Sequence, residues 1–145
     1  MIKVVLDSNV IVSSLLFKGR TAQFLPLWKS GSISLLVNAE MIREYARVLA
    51  YPKFDLEEED IRLLLEEEIL PYVVPVKVRS QHITHPPEDI SDIPFLKAAL
   101  AGKVQALVSG DSHLLKLKSF YSFKILSPGD FLDEYFPSKL ERDSS

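Results

Sequence analysis

Short apolar runs that break off at a polar or acidic residue constrain this chain more than any other feature. "IKVVLD" at residues 2–7 has no alternating polar positions, which suits a strand covered on both faces inside a parallel sheet rather than one half open to water. "SISLLVN" (32–38) and "VQALVSGD" (104–111) are further apolar strand candidates, and "FKILS" (123–127) is a last strand. "YVVPVKV" (72–78) contains Pro75 and belongs at a sheet edge, since proline cannot donate to a central ladder.

Helical stretches separate these runs. "TAQFLPLWKSG" is placed between Thr21 as cap and Gly31 as terminator, with Pro26 its weak point. In "AEMIREYARVLAY", which Asn38 can cap, Met41, Ile42, Tyr45, Val48 and Leu49 share one apolar arc. Glu44 falls at the arc's edge, about 40° from Val48 at 100° per residue, where a carboxylate is well placed to line a cleft. "DLEEEDIRLLLEEEIL" follows as a helix with its acids outward, and "THPPEDIS" is a loop by its prolines. "DIPFLKAALAGK" is a helix capped by Ser91 or Asp92, with Pro94 in its first turn and Gly102 closing it. "SHLLKL" and "PGDFLDEYF", the latter starting at Pro128, complete the set.

Strands alternating with helices imply an α/β fold with a largely parallel sheet. At 145 residues the chain fits one domain, placed at 1–136, with a polar, frayed tail at 137–145. Cysteine is absent, so disulfides, thiolate zinc sites and cysteine nucleophiles are excluded. No window is apolar enough for a membrane span and no leader pattern is legible, so a soluble cytoplasmic protein is expected. The net charge of -3 constrains partners weakly, because acids gathered in one place leave the rest of the surface near neutral.

Open α/β sheets bind ligands beyond the carboxyl ends of their strands, and Asp7 and Asp111 both follow a strand end. Each acid has a bland explanation by itself. Asp7, Asp92 and Asp111 can cap helices or turns, and Glu44 can be a solvated helix residue. Converging at one rim, however, three or four carboxylates repel unless a cation neutralises them, and oxygen ligands suit Mg²⁺ or Mn²⁺. A divalent ion there favours phosphodiester hydrolysis, with the Ser109 hydroxyl close by.

"VVLDSNVIVSSLL", "EMIREYARVLAYPKF", "DISDIPFLKAALAGKVQALVSGDSHLLKL" and "ILSPGDFL" resemble the PIN domain, in particular the branch of toxin components related to VapC-like ribonucleases. The resemblance runs from Ile2 to about Phe131. It implies a three-layer α/β/α sandwich, a Mg²⁺- or Mn²⁺-dependent endoribonuclease, an inhibitory antitoxin partner and a homodimer. Carried over by position, the metal-binding and catalytic acids are Asp7, Glu44, Asp92 and Asp111, supported by Asn9 and Ser109. Glu40 rivals Glu44, and Glu88 and Asp89 rival Asp92.

Arg43, Arg47 and Lys116 are candidate contacts to the RNA backbone, while Lys53, Lys103 and Lys118 are further cations near the motifs, against the default of a solvated face. His82 and His85 lack a third ligand for zinc and read as exposed, as does His113. Phe24, Leu27 and Trp28 suit the core or a subunit interface. Two other functions compete. A haloacid-dehalogenase-like phosphatase would need an acid where Asn9 stands, and a PIN-like module that only binds RNA or protein would have no use for four carboxylates. No glycine-rich loop suggests a nucleotide cofactor.

Overall fold

The computed structural model describes residues 1–77, 83 and 86–137. Five strands, β1 (Ile2–Leu6), β2 (Ile33–Val37), β3 (Val73–Pro75), β4 (Ala106–Val108) and β5 (Lys124–Leu126), form one sheet in the order β3-β2-β1-β4-β5. Every pairing is parallel, with Val4 beside both Leu35 and Ala106 and Leu6 beside Val108. The unbroken apolar runs have the expected consequence: all five residues of β2 and all three of β4 are buried. Pro75 ends the edge strand β3, paired with Val37.

Seven α-helices accompany the sheet: α1 (Ser8–Leu16), α2 (Phe24–Ser30), α3 (Ala39–Leu49), α4 (Glu58–Leu63), α5 (Ile93–Gly102), α6 (Ser112–Leu115) and α7 (Pro128–Tyr135). Helix α2 packs on β2 and α7 on β4 and β5, tied together by the stacked Phe24 and Phe131 rings, while α5 lies across β1, β2 and β4. The result is the three-layer α/β/α sandwich, with its sheet parallel throughout. Phe24 and Trp28 are core residues, and the Trp28 indole N–H donates to the Glu68 carbonyl at 2.8 Å. Among the described residues no helix is long and apolar enough to cross a membrane.

Local departures from the sequence reading have identifiable causes. Thr21 caps nothing. It lies inside a 3₁₀ turn, Arg20–Gln23, that leads into α2, and its carbonyl accepts from the Ser14 hydroxyl. Pro26 is therefore in the first turn of α2, where a missing N–H costs little. The acidic stretch after Asp55 is not one α-helix: α4 widens into a π-helical turn at Leu64–Ile69 and tightens into a 3₁₀ turn at Leu70–Tyr72. Gly102 does not supply the left-handed residue that ends α5. Lys103 takes that conformation at φ +50°, and a Cβ on Gly102 would lie 2.3 Å from Leu36 Cδ2. The absent side chain is what lets α5 settle onto β2.

Candidate metal centre at the sheet's carboxyl rim

Asp7 follows β1 directly, and its two carboxylate oxygens do different things. Oδ1 caps α1, accepting from the Asn9 N–H at 2.9 Å and the Val10 N–H at 3.4 Å. Oδ2 accepts from the hydroxyl of Ser109, a fully buried residue just past β4. Cap and cleft residue were alternatives in the sequence, and a carboxylate with two oxygens serves as both. Burial pushes the Asp7 carboxyl above its usual range, against the Ser109 and backbone hydrogen bonds, with the Asp111 charge adding to the rise.

Ser109 also couples two strand ends, because its Oγ accepts from the Asp111 N–H at 2.9 Å. Asp111 in turn caps α6 through Oδ1, which accepts from the His113 N–H at 2.9 Å. Beneath them the buried Tyr45 hydroxyl donates to the Leu6 carbonyl at 2.6 Å and fixes α3 to the end of β1. Glu44, the next position on α3, thereby faces the rim. Sequence reasoning missed this anchor, although a tyrosine within an apolar helical arc was the available signal.

Neither Ser91 nor Asp92 caps α5 through its side chain. Asp89 takes that role for the short 3₁₀ turn Ile90–Asp92, accepting from the Ser91 N–H at 2.9 Å and the Ser91 hydroxyl at 2.8 Å. These bonds hold the Asp89 carboxyl below its usual range. Asp92 is left uncommitted, with Oδ2 buried and without a hydrogen-bond partner. Burial, followed by the charges of Asp111, Asp7, Asp89 and Glu44, pushes its carboxyl up to about 7.

Asp7, Glu44, Asp92 and Asp111 all line one cavity of about 130 Å³, together with Asn9, Asp89 and Arg47. Arg47 is held by Glu44: its guanidinium makes two hydrogen bonds to that carboxylate and lies over the Tyr51 ring, 5.5 Å from the centroid. It therefore balances the acids from inside the cavity, a role the sequence did not reveal. Glu40 and Arg43 line a different groove, and Lys116 is exposed beyond α6. Glu88 points at His113, 2.9 Å from its Nδ1. Lys53 sits over the Phe54 ring. His82 and His85 lie outside the described residues, as does the tail from residue 138.

As they stand, no three His, Asp or Glu side chains among the described residues form a group that holds a metal ion. The committed bonds explain this: Asp7 is bound to Ser109, Glu44 to Arg47 and Asp111 to its own helix. The donor set nevertheless fits a hard divalent cation, since it consists of carboxylate oxygens and includes a buried one with nothing to bind. With Arg47 as the only cation among the described residues lining the cavity beside Asp7, Glu44, Asp89, Asp92 and Asp111, the set gains from further positive charge.

Two solved structures share the fold. One is VapBC2 from Rickettsia felis bound to a DNA fragment from their promoter, at 12% identity and a TM-score of 0.57. The other is FitAcB from Neisseria gonorrhoeae, at 18% identity and a TM-score of 0.56. Each comparison covers 87% of this chain and 98% of the other. No curated protein matches the chain. The PIN-domain family profile matches residues 3–113, a span from β1 through Asp111 into α6. The chain belongs to the PIN-domain family, whose members are in general nucleases.

Proposed function

We propose that this protein is a Mg²⁺- or Mn²⁺-dependent endoribonuclease, acting as the toxin of a type II toxin–antitoxin pair. The observation that carries the nuclease reading is the convergence of Asp7, Glu44, Asp92 and Asp111 on one cavity, with a buried Asp92 oxygen lacking any partner. These four would hold the cation. When bound, it supplies positive charge for a phosphodiester under attack and acidifies a water molecule.

The chain's own residues have separate tasks. Ser109 orients Asp7 and ties it to the Asp111 backbone, so that the β1 and β4 acids keep one spacing. Asp92, whose carboxyl is pushed up to about 7 by burial and the neighbouring acids, would give up its proton on taking the cation and offers it a buried oxygen that has no other partner. Arg47 holds the Glu44 carboxylate, and with Glu44 turned to a cation its planar fork of donors would be free to face a phosphate. Asn9 lines the cavity two residues after Asp7 and offers an amide to the substrate.

The likeness to VapBC2 and FitAcB supports an antitoxin partner; the homodimer rests on the sequence resemblance to VapC-like toxins alone, and the cytoplasmic setting on the sequence expectation. The test is cleavage of a panel of structured RNAs with Mg²⁺, Mn²⁺ or EDTA, beside Asp7→Asn and Asp111→Asn variants shown to be folded by circular dichroism. Cutting that needs the metal and is lost in both variants is expected. Cutting that survives in either folded variant, or none under any metal, refutes the reading.

A further inference from the structure

We propose that a second groove on the α3–α5 seam, where Arg43 and Lys97 meet, holds backbone phosphates of the RNA strand as it leaves the acidic cavity. This rests on the ribonuclease reading above and extends it from a cutting site to a substrate track. The groove has a volume of about 280 Å³, and Asn38, Glu40, Arg43, Val76, Pro94 and Lys97 line it. Both hollows draw on the same two helices. Glu44 and Arg47 of α3 line the cavity and Glu40 and Arg43 the groove, while α5 contributes Phe95 to one and Pro94 and Lys97 to the other.

Charge decides what such a groove suits. Arg20, Lys29, Arg47, Arg62 and Lys124 each pair with a carboxylate. Arg43 and Lys97 pair with no carboxylate among the described residues, as is also true of Lys53, Lys103 and Lys116, but these two face one groove, which Glu40 borders. Two free cations against one acid leave a local excess of positive charge on a protein whose net charge is -3. The floor is already stitched: Asn38 Oδ1 accepts from the Met41 N–H at 2.9 Å, and its Nδ2 donates to the Pro94 carbonyl at 3.0 Å. Neither bond uses the two cationic heads, which remain available to a ligand.

Arg43 and Arg47 are four residues apart on one helix, a rise of about 6 Å along one face. A strand with one phosphate beside Arg47 at the acids thus meets Arg43, and Lys97 opposite it, as it runs along the seam. Contacts of this kind set register without reading bases.

The measurement is fluorescence-anisotropy binding of a single-stranded RNA of roughly 12 nucleotides, in EDTA, across a range of salt concentrations. Asp92→Asn protein serves as the non-cleaving background, with Arg43→Ala/Lys97→Ala and, as a remote control, Arg62→Ala built on it. Losing two phosphate contacts should flatten the slope of log K against log salt by about 1.4, making the affinity loss about 25-fold larger at 0.1 M than at 1 M salt. Glu40→Gln should tighten binding. A slope change no larger than that of the Arg62 control assigns the groove to another occupant and overturns the proposal, as does a background protein that binds no RNA. Binding with the expected slopes but no cleavage by the unsubstituted protein would instead sink the ribonuclease reading alone.

Discussion

Asp92→Asn should stabilise the metal-free protein, by an amount that grows with pH. In the folded chain the Asp92 carboxyl is pushed up to about 7, against 3.8 as its ordinary value. Between those limits the folded state binds more protons than the unfolded one, so stability falls as pH rises through that window. Taken in full the difference corresponds to about 4 kcal/mol. The carboxyl is only half-buried, and solvent screening reduces the effect to about 1–2 kcal/mol. For a chain of this length that is a Tm shift of about 3–6 °C.

Asparagine keeps the shape and removes the charge. Thermal melts in EDTA should therefore show no difference between wild type and variant near pH 4. The variant should melt about 3–6 °C higher at pH 8. Excess Mn²⁺ should reverse the order, because a ligand at 100 times its Kd adds about 2.7 kcal/mol to the protein that binds it. A Tm difference that is independent of pH, or a variant less stable at pH 8, would refute the assignment of electrostatic stress to this carboxyl.

Three further outcomes are expected. Asp7→Asn should unfold in urea within about 1 kcal/mol of wild type, because asparagine caps a helix as well as aspartate does, while RNA cleavage is lost; Asp7→Ala should lose about 1–2 kcal/mol. Gly102→Ala should destabilise despite gaining about 1 kcal/mol of helix propensity. Its Cβ would meet Leu36 Cδ2 at 2.3 Å, and overpacking of that kind costs about 1–3 kcal/mol, so combining it with Leu36→Val should recover part of the loss in denaturant melts. Arg47→Gln should bind Mn²⁺ several-fold more tightly by titration calorimetry, since Glu44 no longer has to be freed from two guanidinium bonds. Unchanged or weaker binding would show that the Arg47 pair does not compete with the cation.

Much of the architecture is legible in one dimension because the physics behind it is local. Apolar runs without alternation require cover on both faces, which is why the strands and a largely parallel sheet follow from "IKVVL", "ISLLV" and "ALV". Asn38 was readable as a cap because capping acts across three residues. The acids at strand ends were legible for the same reason, as abrupt polar stops to buried runs.

What the sequence could not decide was which partner each acid takes, because the partners are distant in the chain. Asp7 meets Ser109 across 102 positions. Asp89 and Asp92 are three residues apart and both suit a helix start, yet one carboxylate is satisfied by Ser91 and the other keeps one buried oxygen unpaired. Gly102 reads as a helix terminator until Leu36 is seen against it. The chain by itself determined a parallel α/β domain with carboxylates along one rim, because strand burial and capping depend on near neighbours. Only the tertiary structure decided which carboxylates are already satisfied and which one is left without a partner, because hydrogen-bond satisfaction and desolvation depend on what the fold brings alongside.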